Sequence, residues 1–400
     1  MKKSYKSTLG ACYLGYITQA ITVNLATLFF VIFNTDFDVS YAKLGNLVLI
    51  TFITQIIVDA SMVKLTYVIG YRASAVAAHA VSAAGLIMLG ILPYVMDAYT
   101  GIVISVIFYA IGGGMTEVVI SPIVDSLPGD AKTSGMCLLH SFYSWGQLFL
   151  VAVSTVALRI IGGGMWFMLP ICWSAVPLFN MFFFMRVPLL PIPPEARGTH
   201  LSEYFKSPVM YISVLLMVCG GASEMAMSQW ASLFAEEALG ISKVVGDLLG
   251  PCLFALCMGT GRVIYGLFGH KINIKKALVG CSILTLLCYA LTVFASLPIF
   301  SLAGCALCGF GVSLMWPGIL SMTSAFFGDG SSPALFAFLA LAGDVGCSLG
   351  PWLTGSISDL MISHGTSAAL RAGLASAAVF PTAMILLSVI MLFMKENKKI

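Results

Sequence analysis

About twelve stretches of roughly 20 apolar residues follow one another along this chain, and that repetition decides what it can fold into. A helix rises ~1.5 Å per residue, so ~20 residues cross a hydrocarbon core of ~30 Å. The stretches run over 9–33, 44–66, 73–95, 100–123, 135–157 and 163–185, then over 209–233, 245–268, 277–294, 299–326, 335–357 and 369–393. Charged residues are only 9% of the chain and apolar ones 59%, against about a quarter charged in soluble domains. Lipid offers backbone groups no water, so a spanning segment of this length must be a helix. An all-α membrane protein with twelve transmembrane helices is therefore expected. The first stretch begins within a few residues of Met1 without a small-residue cleavage site, so it reads as a retained helix rather than a signal peptide.

The connection from Arg186 to Ser207 is the longest polar segment, and it holds Pro188, Pro191, Pro193 and Pro194. It divides the chain into six-helix bundles at 1–186 and 208–400, joined by a linker at 187–207. With an even number of spans both termini fall on one side. Of the 20 Lys and Arg residues, only Lys43, Arg159, Lys243 and Arg371 fall on the other. Cationic loops stay inside, so both termini and the linker are expected in the cytoplasm, in a multi-pass protein of a bacterial-type cytoplasmic membrane. The formal charge of +3 records this topology and points to no nucleic acid.

Against this background four acids stand out: Asp59, Glu117, Glu224 and Asp344. A charge at mid-membrane costs roughly 2.5–3.5 kcal/mol on insertion scales, and such groups normally face a bundle interior or water. Glu117 and Glu224 lie in opposite halves, which favours a polar path and a transporter. The halves also echo each other. The second span carries Asp59 ahead of Gly70-Tyr71-Arg72, and the eighth carries Gly261-Arg262 ahead of Asn273-Ile274-Lys275-Lys276. Setting Arg72 against Lys275 puts Asp59 opposite Arg262. These four residues either cap helix ends near headgroups or latch one access state, and parallel six-span repeats are one large transporter arrangement.

The two-half layout with basic loops after the second and eighth spans resembles the major facilitator superfamily, and within it the fucose permease group of sugar:proton symporters. Gly112-Gly-Gly-Met-Thr-Glu117-Val-Val-Ile-Ser-Pro122 is similar to that group's Gly-rich stretch with an acid five residues before a proline. Leu138-Leu-His140-Ser-Phe142-Tyr-Ser144-Trp-Gly146, Gly221-Ala-Ser-Glu224 with Trp230, and Gly309-Phe-Gly-Val-Ser313-Leu-Met-Trp-Pro317 match further features of the fifth, seventh and tenth spans. The resemblance implies two pseudo-symmetric six-helix bundles, a cavity lined by the first, fourth, seventh and tenth spans, and Glu117 and Glu224 facing it. One departure matters. Asn24-Leu25-Ala26-Thr27 offers only Thr27 where the pattern expects an acid, so proton coupling of that kind is missing or rests on another carboxylate.

Glu117 has Gly113 and Ser121 four residues to either side, a small strip open to close helix approach or water. It either exchanges a proton or stays a protonated hydrogen-bonder. Glu224 shares its strip with Gly220, Gly221 and Ser228, with Gln229 and Trp230 following. Trp230 and Trp316 offer flat faces to a sugar ring or simply pack. Asp344 serves as a coupling acid or cation ligand, or as a structural hydrogen-bonder. Gln19 and Asn24 are about 140° apart on the first helix, so they cannot point the same way, and Asn24 is the better solute ligand. Asn46 and Gln55 must face protein rather than lipid. His140 is either a proton relay or a packing residue, and His79 is a packing residue.

These readings select a secondary active transporter for a small neutral polar solute, a sugar before others, working by alternating access with proton coupling. The absence of an arginine at mid-depth in a cavity helix supports a neutral solute. The alternative is an exporter, a proton antiporter for cationic or lipophilic compounds, which Gly350-Pro351 weakly favours. A membrane enzyme would need an interfacial cluster of His, Asp or Glu, or an appended domain. The eleven cysteines lie almost all within apolar spans, and Cys305-x-x-Cys308 lacks a redox context. Gly112–Gly114 and Gly162–Gly164 lack the lysine of a phosphate loop. No cofactor or metal is expected. The expected partners are the solute, a coupling ion (proton or sodium) and lipid, with the protein a monomer.

Overall fold

The structure, a computed structural model, describes residues 5–127, 132–190, 201–268, 272–327 and 333–394. Residues 191–200 of the expected linker lie outside the described residues, as do the orientation-setting cations Lys2, Lys3, Arg197, Lys271, Lys395, Lys398 and Lys399. Among the described residues the chain is helical, with no strand. The long helices are α1 (Lys6–Phe37), α2 (Tyr41–Met62), α3 (Val68–Val95), α4 (Ala98–Val124), α5 (Leu139–Ile161), α6 (Met168–Arg186), α7 (Pro208–Ala238), α8 (Lys243–Tyr265), α9 (Ile274–Phe294), α10 (Pro298–Thr323), α11 (Pro333–Leu360) and α12 (Thr366–Phe393). Eleven of them are both long and apolar enough to cross a membrane, and α11 is a helix of 28 residues. This is the all-α, twelve-span membrane architecture that the run of apolar stretches dictates.

The breaks between and within helices have local causes. Helical structure runs through Tyr41–Val95 and is interrupted only at Gly70, where φ is 81° and ψ is 162°. That backbone is open to glycine and strained for other residues, so Gly70, in the first turn of α3, is where the helical run from Tyr41 breaks. Proline explains three more interruptions, because it has no N–H for the carbonyl four residues back. Helix α6 breaks at Ser174 ahead of Pro177, α10 breaks after Val312 ahead of Pro317, and α12 breaks at Ala378 ahead of Pro381. In α1 a 3₁₀ turn at Ala26–Phe29 follows Asn24, and the Thr27 hydroxyl donates to the Asn24 carbonyl at 2.9 Å.

The chain divides into two compact units, Met1–Ile192 with Lys243–Leu248, and Pro193–Ser242 with Leu249–Ile400. In the first, Ala11, Tyr16, Met62, Ala75, Ile120, Leu139 and Phe184 belong to one buried apolar cluster drawn from α1 to α6. Arg72, at the start of α3, closes this unit by donating to the carbonyls of Phe184 (2.7 Å) and Val187 (2.8 Å) at the end of α6. Those carbonyls have no helical partner of their own. In the second unit Lys275, at the start of α9, donates to the Met394 carbonyl just past α12 at 3.0 Å and lies over the Phe326 ring. Tyr289 of α9 donates to the Ser223 carbonyl of α7 at 2.8 Å, and Thr323 of α10 donates to Ser213 of α7 at 2.8 Å.

Burial separates lipid-facing from inward-facing sides. On α2, Ile53 and Ile57 are 44% and 61% exposed while Gln55 and Asp59, on the opposite face, are buried. Helices α1 and α7 have no lipid-facing side over much of their length. Every residue from Thr18 to Phe33 and from Cys219 to Leu233 is buried. The polar residues of these two helices are therefore held inside protein.

Candidate functional site

Three helices of the first unit converge on a buried polar cluster. From α1, Gln19 donates through Nε2 to the Glu117 carboxylate of α4 at 3.0 Å. From α2, Asp59 brings a carboxylate oxygen within 4.8 Å of one on Glu117. Gly113 and Gly114 make the approach possible. A methyl group on Gly113 would lie 2.7 Å from Gln55 Nε2 and 3.1 Å from both Gln19 Oε1 and Thr22 Oγ1, and one on Gly114 would lie 2.9 Å from Asp59 Oδ1. Two amides, a hydroxyl and a carboxylate thus crowd onto one glycine pair of α4. One turn further along, Tyr16 Oη and Ser121 Oγ are hydrogen-bonded at 2.9 Å, and the Tyr16 ring meets His140 edge-on. Gln55 is fully buried, Gln19 and Asp59 are buried, and Glu117 is half-buried.

Several atoms of this cluster have no hydrogen-bond partner: Gln19 Oε1, both ends of the Gln55 amide, and Asp59 Oδ1. A buried polar atom left this way costs about 1–3 kcal/mol, a cost that water or a bound solute would offset.

The second unit carries a different arrangement. Glu224 of α7 accepts an ion pair from Arg262 of α8 at 3.6 Å, with both side chains largely withdrawn from solvent. Gln229 is buried and donates to Met225 Sδ at 3.6 Å. Trp230 is fully buried, its Nε1 donating to the Pro351 carbonyl of α11 at 3.2 Å. The Trp316 ring rests on the backbone of Gly343, and the neighbouring Asp344 is buried in α11.

Other sequence candidates take these positions. Asn24 is buried and donates to the Ala20 carbonyl at 2.9 Å and to Tyr143 Oη at 3.1 Å. Arg72 and Lys275 tie helix starts to helix ends within their own units. His79 accepts at Nε2 from Asn180 at 2.8 Å, its Nδ1 facing the Ala75 carbonyl at 2.7 Å. Nε2 thereby ties α3 to α6, while Nδ1 is engaged within α3 itself. The sequence favours Asn24 over Gln19 as a solute ligand and asks of Gln55 only that it face protein, yet Gln19 and Gln55 are the two amides that complete the cluster. The signal was there in the four-residue spacing of Gln55 and Asp59, which sets both on one helix face.

A sequence model of the Major Facilitator Superfamily matches residues 12–351. The chain belongs to this superfamily of transporters. No curated protein matches it. Among solved structures, the D-xylose–proton symporter is similar over 98% of this chain and 97% of its own, with TM-score 0.78 at 17% identity. A bacterial homologue of the human lysosomal transporter Spinster gives TM-score 0.77 at 13% identity, covering 98% and 97% of the two chains. The Escherichia coli fucose:proton symporter FucP gives TM-score 0.66 at 15% identity, covering 97% and 99%. At such identities these likenesses establish the fold.

Proposed function

We propose that the protein is a secondary active transporter that carries a small neutral polar solute, a sugar before others, across the cytoplasmic membrane by alternating access in symport with protons. The observation that carries this reading is the pair Asp59 and Glu117, two acids within 4.8 Å of each other on a face turned away from lipid. Carboxylates so placed repel strongly in a medium of low dielectric, so at least one positive charge accompanies them, and a group that takes one up and gives it back is what coupling requires.

The charge balance of the second unit supports a neutral solute. Arg262 offsets Glu224, which leaves that pair without net charge to select an ionic substrate. The reading is also supported by the presence of D-xylose and fucose symporters among the fold's neighbours. In this reading Asn24 and Glu117 of the first unit, and Glu224, Gln229, Trp230 and Trp316 of the second, bind solute. Glu117, Glu224 and Asp344 handle protons, with Arg262 as the counter-charge that competes with a proton for Glu224. Asp59, Arg72, Arg262 and Lys275 hold conformational state. The protein acts as a monomer in lipid, with both termini and the 187–207 linker in the cytoplasm.

Uptake of a panel of labelled sugars into proteoliposomes under an imposed pH gradient tests the reading. Gradient-dependent accumulation of a neutral sugar supports it. Failure across the panel, together with binding of an organic cation that Glu224→Gln abolishes, contradicts it in favour of an exporter.

A further inference from the structure

We propose that Gln19 of α1 and Gln55 of α2, with Thr22 beside them, form the subsite that recognises one hydroxyl group of the transported solute. This deepens the sugar reading above and rests on it. It gives the first unit a specificity-determining residue, Gln55, on a helix outside the four expected to line the cavity.

Three polar atoms of different residues gather about one point. Gln55 Nε2 lies 2.7 Å, and Gln19 Oε1 and Thr22 Oγ1 each 3.1 Å, from the place where a methyl group on Gly113 would stand. All three residues are buried, Gln55 completely. Gly113 puts no side chain of its own among them. Atoms gathered so closely are near enough for a single oxygen to bridge them at ordinary hydrogen-bond lengths. Yet Gln55 Nε2 and Gln19 Oε1 have no partner, and they do not bond each other.

The chemistry of these atoms selects the occupant. An amide N–H only donates and an amide oxygen only accepts. Glu117 takes Gln19 Nε2 at 3.0 Å, which leaves the Oε1 end of that amide to accept. The Thr22 hydroxyl donates to the Gln19 backbone carbonyl at 3.0 Å, so its oxygen is left to accept as well. One donor and two acceptors therefore meet. A cation satisfies only the acceptors, and an anion only the donor. A hydroxyl accepts one hydrogen bond and gives another, so it serves Gln55 and one of the oxygens at once. Water shares this chemistry; dependence on one particular solute hydroxyl separates the two. The Gln19 amide also touches Glu117, so a solute bound here reaches the proposed coupling acid through one side chain.

Competition against labelled sugar uptake in proteoliposomes tests the proposal, with native protein and Gln55→Met side by side. The competitors are the sugars of the panel, D-xylose and fucose among them, and each monodeoxy analogue of the sugar taken up best. Methionine keeps the length of glutamine without its polar end. The native protein should bind one monodeoxy analogue about tenfold more weakly than the parent sugar, because that analogue leaves the buried amides unpaired. Gln55→Met should weaken the parent by a similar factor and leave that analogue unchanged, so that the two become equal. Its melting temperature without sugar should not fall, since the change removes two polar atoms that have no partner. Should Gln55→Met fold poorly, Thr22→Val supplies the same comparison. Parent and analogues weakened alike, as a fixed water or a packing role requires, overturns the proposal. Sugar uptake whose discrimination survives unchanged in both variants overturns this inference alone. No uptake of any sugar in the panel by the native protein overturns the transport reading, and this subsite with it.

Discussion

Arg262 of α8 stands 3.6 Å from Glu224 of α7, and neither side chain has much contact with solvent. Removing one partner of such a pair strands the other charge, at a cost of about 3–5 kcal/mol. Arg262→Met should therefore lower the melting temperature of the purified protein sharply. The double variant Arg262→Met with Glu224→Gln should regain most of that loss, because no lone charge is left. A double variant as unstable as the sum of the singles would show that the pair is not coupled.

Gly114 is the narrowest point of the first unit's cluster. A methyl group there meets Asp59 Oδ1 at 2.9 Å and the Gln55 backbone at 3.2 Å. Overpacking of this kind typically costs about 1–3 kcal/mol, and separating α2 from α4 also dismantles the cluster. Gly114→Val should abolish solute transport in reconstituted vesicles. Gly163→Ala, where nothing lies within 4 Å of the added methyl, should leave both transport and melting temperature unchanged.

Arg72 and Lys275 hold matching places in the two halves, each at the start of a unit's third helix and each donating to carbonyls at the end of its sixth. Hydrogen bonds from charged donors contribute about 1.5–3 kcal/mol, less where solvent screens them. Because Arg72 is exposed, Arg72→Ala should cost about 1–2 kcal/mol. Lys275→Ala, losing one such bond, should cost no more than Arg72→Ala. Thermal unfolding of the two variants side by side checks both the size and the order.

Asp97 caps α4 from outside the membrane-spanning segments, accepting from the Thr100 hydroxyl at 2.7 Å and from the Thr100 backbone N–H at 2.9 Å. Those bonds hold its carboxyl below the ordinary carboxylate range. A lowered folded-state value means that the stabilisation is present above an unfolded value of about 3.9 and is lost as pH falls through the folded one. Asp97→Asn should therefore lower stability slightly at neutral pH and flatten the acid end of the stability profile. An unchanged acid limb would remove Asp97 from the account.

The twelve spans were legible because a run of ~20 apolar residues has few other uses. What the sequence could not supply was rotation about each helix and the reach of long side chains. Gln19 and Asn24 differ by a turn and a half, and nothing local says which meets Glu117. The structure gives that contact to Gln19 and turns Asn24 to Tyr143. Arg262 reads as an interfacial cation from its place near the end of α8, yet its side chain meets Glu224, near the middle of α7. Gly70 was visible as a loop glycine. The near-continuity of α2 and α3 around it depends on a single φ value that no composition reveals.

Sugar accumulation in proteoliposomes, measured in parallel for the native protein and for Glu117→Gln, tests the central claim most directly. The account predicts that the native protein concentrates a neutral sugar above its external level when the outside is made acidic. It predicts that Glu117→Gln still exchanges the sugar across the membrane but no longer concentrates it. Equal accumulation by both proteins, or none by the native protein across the sugar panel, would contradict it.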